Sequence, residues 1–334
     1  MSKILTISIA AYNSELFIEK TLASLTDQRY VDQLEVFVID DGGTDRTLEI
    51  AKQFEEKYPD TFHAIHKENG GYGSTFNYSI AHATGKYFKL LDGDDWLDAD
   101  GLSTVIEKLS NSDEDVIITG MFSGTSETDC KISLPNEPDD WTCYLTDYHP
   151  SKVFGMWVIY YKTSIIRQSG LHLPEKTLYS DQLFSVIPFS HCKTIRFLKI
   201  PVYFYRTGQE GQSTSIESRK KHCQEMYRIC DQIYDYYEQN KCFPYLLKRV
   251  SRYYIVALKT ILLFSSEKNG KQLFVDYEKE MQQKHPEIYA DAIDMFKFGK
   301  LLSFMRQTNY VFFPLLRIIP PNIGTNKKYL KIRT

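Results

Sequence analysis

Strand-like and helix-like segments alternate over the first hundred residues, and this alternation limits the fold more than any other feature. Ile4-Leu5-Thr6-Ile7-Ser8-Ile9-Ala10 is a short apolar, β-branched run, the pattern of a buried strand. Asn13-Ser14 offers a cap before a helix over 15–25, where Leu16, Phe17, Thr21, Leu22 and Leu25 keep helical spacing. A second strand over 34–39 ends in Asp40-Asp41-Gly42-Gly43, and Thr44 is expected to cap a helix over 45–58. A third strand over 63–66 leads into the turn Asn69-Gly70-Gly71-Tyr72-Gly73. A helix over 74–83 then stops at Gly85. This order predicts an α/β domain with a mostly parallel sheet and helices on both faces. In such sheets ligands bind beyond the carboxyl ends of the strands. Asn13, Asp40, Asp41 and the group from Asp92 to Asp95 all fall there.

The next strand runs out into acid: Phe88-Lys89-Leu90-Leu91-Asp92-Gly93-Asp94-Asp95-Trp96-Leu97. Three carboxylates within four positions repel one another and are costly to hold together without a cation. Hard oxygen ligands at a strand end suit Mg²⁺ or Mn²⁺, which prefer carboxylates, waters and substrate phosphates. Taken alone, the run also reads as an acidic turn, since Asp and Gly are ordinary turn residues.

Strands are expected over 116–121, 157–161 and 200–205, with a helix over 164–169 between the last two. From Glu217 onward the pattern is helical, near 217–240, 244–265, 270–284 and 287–307. The reading divides the chain into a catalytic domain over 1–215 and a helical region over 216–334. Net charge is −3, which gives no general pull toward nucleic acid. The 24 Tyr and 20 Phe suit sugar faces or membrane interfaces, though most such residues are core. Six cysteines form no CxxC pair and read as free thiols of a reducing compartment. The opening apolar run is too short for a signal peptide. The last apolar stretch, over 311–321, is too short to span a bilayer. The expected location is the cytoplasm or the cytoplasmic face of a membrane. A basic, aromatic tail with Arg317, Lys327, Lys328, Lys331 and Arg333 either lies on anionic lipid or packs on the protein or a dimer partner.

Five pieces in register carry a resemblance: Ile9-Ala10-Ala11-Tyr12-Asn13, Asp40-Asp41-Gly42-Gly43-Thr44-Asp45, Asn69-Gly70-Gly71 with Asn77, Ala83-Thr84-Gly85-Lys86-Tyr87, and Asp92-Gly93-Asp94-Asp95. The chain resembles the family 2 glycosyltransferases, inverting enzymes of GT-A fold, and is most similar to bacterial polysaccharide and glycan-building members. The resemblance covers roughly the first 215 residues. It implies a nucleotide half over about 1–100 and an acceptor half over about 101–215. It implies a nucleotide-sugar donor, a UDP-hexose or UDP-N-acetylhexosamine, and a glycan, glycolipid or glycoprotein acceptor. It puts Ala11, Tyr12, Asn13, Asp41, Asn69, Asp92, Gly93 and Arg206 around the nucleotide. Tyr12 would stack near the base, and Asp41 would accept from uracil N3–H. It puts Mn²⁺ or Mg²⁺ on Asp94. The catalytic base falls on Asp181, in Leu178-Tyr179-Ser180-Asp181-Gln182-Leu183-Phe184. Ser180 or Asp181 could instead cap a helix there, and Asp95 could cap the helix after the acidic run. Arg206 opens a polar loop, 206–215, where it would fork onto phosphate.

The sequence departs from the family at several points. Ala10-Ala11 stands where Pro-Thr or Pro-Ser is usual, Gly43 where Ser is usual, and Ser180 where Glu is usual. No Gln-x-x-Arg-Trp motif is present, so one sugar per encounter is expected. A nucleotidyltransferase would need a basic, Gly-rich loop after the first strand, and a dinucleotide enzyme would need G-x-G-x-x-G there. Neither is present. A non-catalytic nucleotide-sugar-binding or partner protein is the alternative, and the carboxylates at 92, 94 and 181 argue against it.

Overall fold

The computed structural model describes residues 2–149, 152–208, 215–264, 269–294 and 296–316. The chain divides into two compact units, Met1–Glu210 and Gly211–Thr334. Unit one holds one mixed sheet in the order β3 (Phe62–Lys67), β2 (Leu34–Asp41), β1 (Leu5–Ala11), β4 (Tyr87–Asp92), β9 (Ile159–Lys162), β6 (Val116–Ser126), β10 (Thr194–Arg206), β5 (Trp96–Leu97). The first four strands are parallel, as the alternation predicts. Strand β9 is antiparallel to both β4 and β6, and β6 pairs parallel with β10. Strands β7 (Asp129–Ser133) and β8 (Trp141–Tyr144) extend the second half, antiparallel to β6 and β10.

Strand β1 lies between two parallel neighbours, and its burial is nearly continuous along both faces. Thr6 and Ser8, which alternate with its apolar residues, are buried and hydrogen-bonded. Leu5, Ile7 and Ile9 are wholly buried, each worth about 1.5–3 kcal/mol of transfer free energy. Buried polar groups at the opposite end of the sheet are matched. Glu35 accepts from Thr6 Oγ1 at 2.6 Å, and from Thr84 N and Oγ1, both at 2.7 Å. A Cβ on Gly85 would lie 2.5 Å from Thr6 N. The Ala83–Tyr87 motif therefore closes the amino end of the sheet, away from the site.

Helices α1 (Ile18–Ala23), α2 (Thr47–Lys57), α3 (Tyr72–His82) and α4 (Ala99–Asn111) pack around β1–β4. Three local expectations are corrected. Thr44 does not cap α2; Arg46 takes the cap position, and the Asp45 carboxylate accepts from Thr47 N at 3.0 Å. Asp95 does not cap α4, because Asp98 does, accepting from Gly101 N at 2.8 Å. The strand expected over 157–161 begins only at Ile159, after a 3₁₀ turn over Met156–Val158. The short helices α5 (Thr163–Gln168) and α6 (Asp181–Phe184) complete unit one.

Unit two is helical: α7 (Ile216–Lys221), α8 (Cys223–Gln239), α9 (Pro244–Leu262), α10 (Gly270–Lys284), α11 (Pro286–Asp291) and α12 (Phe296–Gln307), with a last turn over Phe313–Leu316. Its buried polar centre is Glu278, held by Arg306 Nε and Tyr310 Oη, both at 2.8 Å, and by Tyr254 Oη. All six cysteines are free. Among the described residues, no helix is long and apolar enough to cross a membrane. The basic residues from Arg317 to Arg333 and the loop residues 209–214 lie outside the described residues.

Candidate active site

The carboxyl ends of β1, β2 and β4 carry the site, and loop-to-loop hydrogen bonds hold these ends together. Asn13 adopts a left-handed backbone, φ +50°, and its Oδ1 accepts from Thr44 N at 2.9 Å. Ser14 N donates to Thr47 Oγ1 at 2.8 Å, and Glu15 N to Asp45 Oδ2 at 2.9 Å. The loops after β1 and β2 are thus zipped into one rim. Tyr12 stands on that rim with 57% of its surface exposed. Ala11 is buried, so only its backbone can face a ligand.

Asp40 and Asp41 have separate tasks. Asp40 Oδ1 accepts from Gly43 N at 3.1 Å, and Oδ2 lies 2.6 Å from His66 Nδ1. A Cβ on residue 43 would sit 2.4 Å from Asp40 Oδ1, which explains glycine where the family usually has serine. Asp41 takes Lys67 Nζ at 2.8 Å and Gly70 N at 2.9 Å on Oδ1, and Gly71 N at 2.7 Å on Oδ2. Ser74 Oγ is 3.2 Å from Oδ1, but its proton has a shorter path to the Gly71 carbonyl, 2.7 Å. A carboxylate has about four acceptor positions, so one stays open on Asp41. Asn69 supports the same turn, donating to the Asp41 carbonyl at 2.8 Å.

Carboxylate oxygens of Asp92, Asp94 and Asp95 all lie within 4.8 Å of one another. Gly93 lets the turn form, since a Cβ there would be 2.9 Å from the Ala10 carbonyl oxygen. Asp95 is buried and braced. Tyr203 Oη donates to its Oδ2 at 2.6 Å, and Arg206 N to its Oδ1 at 2.7 Å. Burial pushes Asp92 and Asp95 well above the usual carboxylate range, and neighbouring carboxylates add to it. Asp94 is raised too, by burial, with Arg206 opposing. Arg206 Nε donates to the Asp94 carbonyl at 2.8 Å, and its guanidinium lies over Phe17 and Trp96, 4.6 and 5.0 Å from the ring centroids. The charge of Asp181, at the start of α6, adds to the rise at Asp92 after burial, Asp95 and Asp94.

Asp181 sits at the first position of α6. Ser180 occupies the cap position without a side-chain cap bond. What fixes this segment is a clasp. Asn77 Nδ2 donates to the Leu173 carbonyl, and Leu173 N donates to Asn77 Oδ1, both at 2.9 Å. Lys176 N donates to the Gly70 carbonyl at 2.6 Å. The turn that holds Asp41 therefore also holds the loop leading to Asp181. Lys67, His66, Tyr72 and Tyr203 were not expected at the site. They come from strand and helix ends whose neighbours only tertiary pairing reveals, and no local signal marks them.

A parallel sheet end that gathers an exposed Tyr12, Asp41 and a three-carboxylate turn can be compared with known proteins. The family model for glycosyl transferase family 2 matches residues 6–171. The chain belongs to that family. It is 29% identical over 206 residues to the putative glycosyltransferase EpsH of Bacillus subtilis, covering 59% of each chain. It is 26% identical over 221 residues to the poly(ribitol-phosphate) beta-N-acetylglucosaminyltransferase TarS of Staphylococcus aureus, covering 63% of this chain and 36% of TarS. The chain thus spans less than two thirds of either relative. The crystal structure of S. aureus TarS 1–349 in complex with UDP-GlcNAc superposes with a TM-score of 0.69 at 20% identity, over 94% of this chain and 90% of that one. That likeness is one of fold and includes the GT-A-like α/β unit.

Proposed function

We propose that this family 2 protein moves one sugar from a nucleotide-sugar to a hydroxyl of a glycan, lipid-linked or protein-linked acceptor, with inversion at the anomeric carbon. The observation that carries the reading is the gathering of the Asp92, Asp94 and Asp95 carboxylates within 4.8 Å of one another at the carboxyl end of the sheet. The TarS complex with UDP-GlcNAc, at a similar fold, supports a UDP-sugar as donor.

In this reading Tyr12 stacks on the base, and the open acceptor position of Asp41 takes uracil N3–H. Lys67 and the Gly70 and Gly71 amides hold that carboxylate in place. Three desolvated carboxylates with crossed repulsion form a hard-oxygen donor set that fits Mn²⁺ or Mg²⁺. Asp94 and Asp92 would hold the ion, Asp95 being braced on both oxygens. When bound, the ion supplies charge neutralisation for the leaving diphosphate. Arg206, anchored on the Asp94 carbonyl, contributes positive charge beside it. Asp181 takes the proton of the attacking hydroxyl.

Asp181→Asn tests the assignment. The variant is expected to keep UDP affinity and to lose transfer by about 10²–10⁴-fold. Transfer at the wild-type rate would remove Asp181 as the base.

A further inference from the structure

Three segments far apart in sequence meet on one side chain, Arg206 at the end of β10. Its backbone N donates to Asp95 Oδ1 at 2.7 Å, and its Nε to the Asp94 carbonyl at 2.8 Å. Its guanidinium lies 4.6 Å from the Phe17 ring centroid and 5.0 Å from that of Trp96. Trp96 follows the acidic turn directly and stacks on Phe204 at 3.9 Å, with the ring planes 11° apart. The indole also takes the Lys20 ammonium, 3.5 Å from its centroid, and Lys20 Nζ donates to Glu127 Oε1 at 2.8 Å.

Phe17 stands just before α1, and α1 is tied to the acidic turn. Thr21 Oγ1 donates to the Asp95 carbonyl at 2.6 Å, with the Gly93 carbonyl 3.1 Å away. The Phe17 backbone is fixed as well. Its N donates to the Ser14 carbonyl at 2.9 Å, and its carbonyl accepts from Lys20 N at 3.0 Å. Both rings therefore keep a set place relative to Asp94. A guanidinium is planar, so a fixed Nε between two fixed rings also sets the direction of its other N–H groups.

We propose that Phe17 and Trp96 are positioning residues for the transfer, two rings that hold the Arg206 guanidinium beside Asp94 and aimed at the donor diphosphate. This rests on the nucleotide-sugar reading above. The rings act through Arg206: a cation over an aromatic face is attracted to it, and more strongly where water is excluded.

Trp96 is buried against Phe204, so the test runs through the half-buried Phe17. Calorimetric titration with UDP in Mn²⁺ would compare wild type, Phe17→Leu, Phe17→Tyr, Arg206→Ala and the double variant Phe17→Leu/Arg206→Ala. Arg206→Ala is expected to weaken UDP by about 10–100-fold. Phe17→Leu keeps apolar bulk without a π face and is expected to cost about fivefold. Phe17→Tyr restores the face and is expected to bind within about twofold of wild type. The double variant is expected to bind no more than about twofold weaker than Arg206→Ala, because the ring has nothing left to position. Fully additive losses would overturn the proposal, leaving Phe17 a packing residue. Undiminished affinity in Phe17→Leu would overturn it too. Undiminished affinity in Arg206→Ala would remove the diphosphate role of Arg206 and this inference with it, while leaving the nucleotide-sugar reading in place. A wild-type protein that binds no UDP would overturn that reading itself, and the inference falls with it.

Discussion

Tyr203 Oη donates to Asp95 Oδ2 at 2.6 Å, across 108 residues of chain. The same oxygen accepts Asp92 N–H at 3.2 Å. One phenol from β10 therefore braces both ends of the acidic turn, and its ring also covers the buried Lys89 ammonium at 5.1 Å. Lys89 Nζ donates to the Trp157 carbonyl at 2.5 Å and faces the Tyr160 ring. The second half of the sheet thus serves as scaffold for the acids of the first half.

Tyr203→Phe leaves Asp95 Oδ2 buried without its donor. The expected cost is about 1–3 kcal/mol of stability, since an unmet buried acceptor loses its full solvation. Urea unfolding of the metal-free protein measures it. An unchanged midpoint would contradict the bracing role.

Asn77→Ala breaks both hydrogen bonds that clasp Leu173. The loop leading to Asp181 is then less firmly placed, while Asp41 keeps its donors. Transfer is expected to fall by roughly tenfold with UDP affinity unchanged, because positioning losses appear in the rate. Steady-state kinetics beside UDP titration would separate the two. A matching loss of UDP affinity would show that the clasp serves the nucleotide end instead.

Asp92, Asp94 and Asp95 hold their protons more tightly than free carboxylates, with burial as the first cause in each. Folded-state values above unfolded ones mean that the folded form binds extra protons from the ordinary carboxylate range, near about 4, up to the raised values. Stability of the metal-free protein therefore falls as pH rises through that window and does not return above it. A divalent cation competes with those protons. Mn²⁺ is expected to raise the melting temperature more at about pH 7.5 than at about pH 5.5, and Asp94→Asn to shrink the effect. Equal stabilisation at both pH values would contradict the raised cluster.

Much of this site was legible in the sequence because its parts sit at strand ends, where local pattern and function coincide. The alternation located β1 to β4, and turn residues located their carboxyl ends. The acidic run from Asp92 to Asp95 stood out by itself, whereas the roles proposed for Asp41, Asp94 and Asp181 came from the family resemblance. The antiparallel insertion of β9 between β4 and β6 was not legible, since nothing in residues 159–162 announces Tyr87 and Phe88 as partners. Nor was the tie from Gly70 to Lys176, which is a backbone bond carrying no residue signature. Arg206 was expected to fork onto phosphate. The structure shows its Nε on the Asp94 carbonyl and its guanidinium over two rings, a geometry that depends on Phe17, just before α1, and Trp96 of β5.

The most direct test is release of nucleoside diphosphate from a panel of UDP-, GDP- and dTDP-sugars, offered with candidate glycan acceptors and Mn²⁺, beside an EDTA control and Asp94→Ala. Release from a UDP-sugar is expected, abolished by EDTA and lowered at least about 100-fold by Asp94→Ala. Undiminished release in EDTA or in the Asp94 variant would contradict the proposed function.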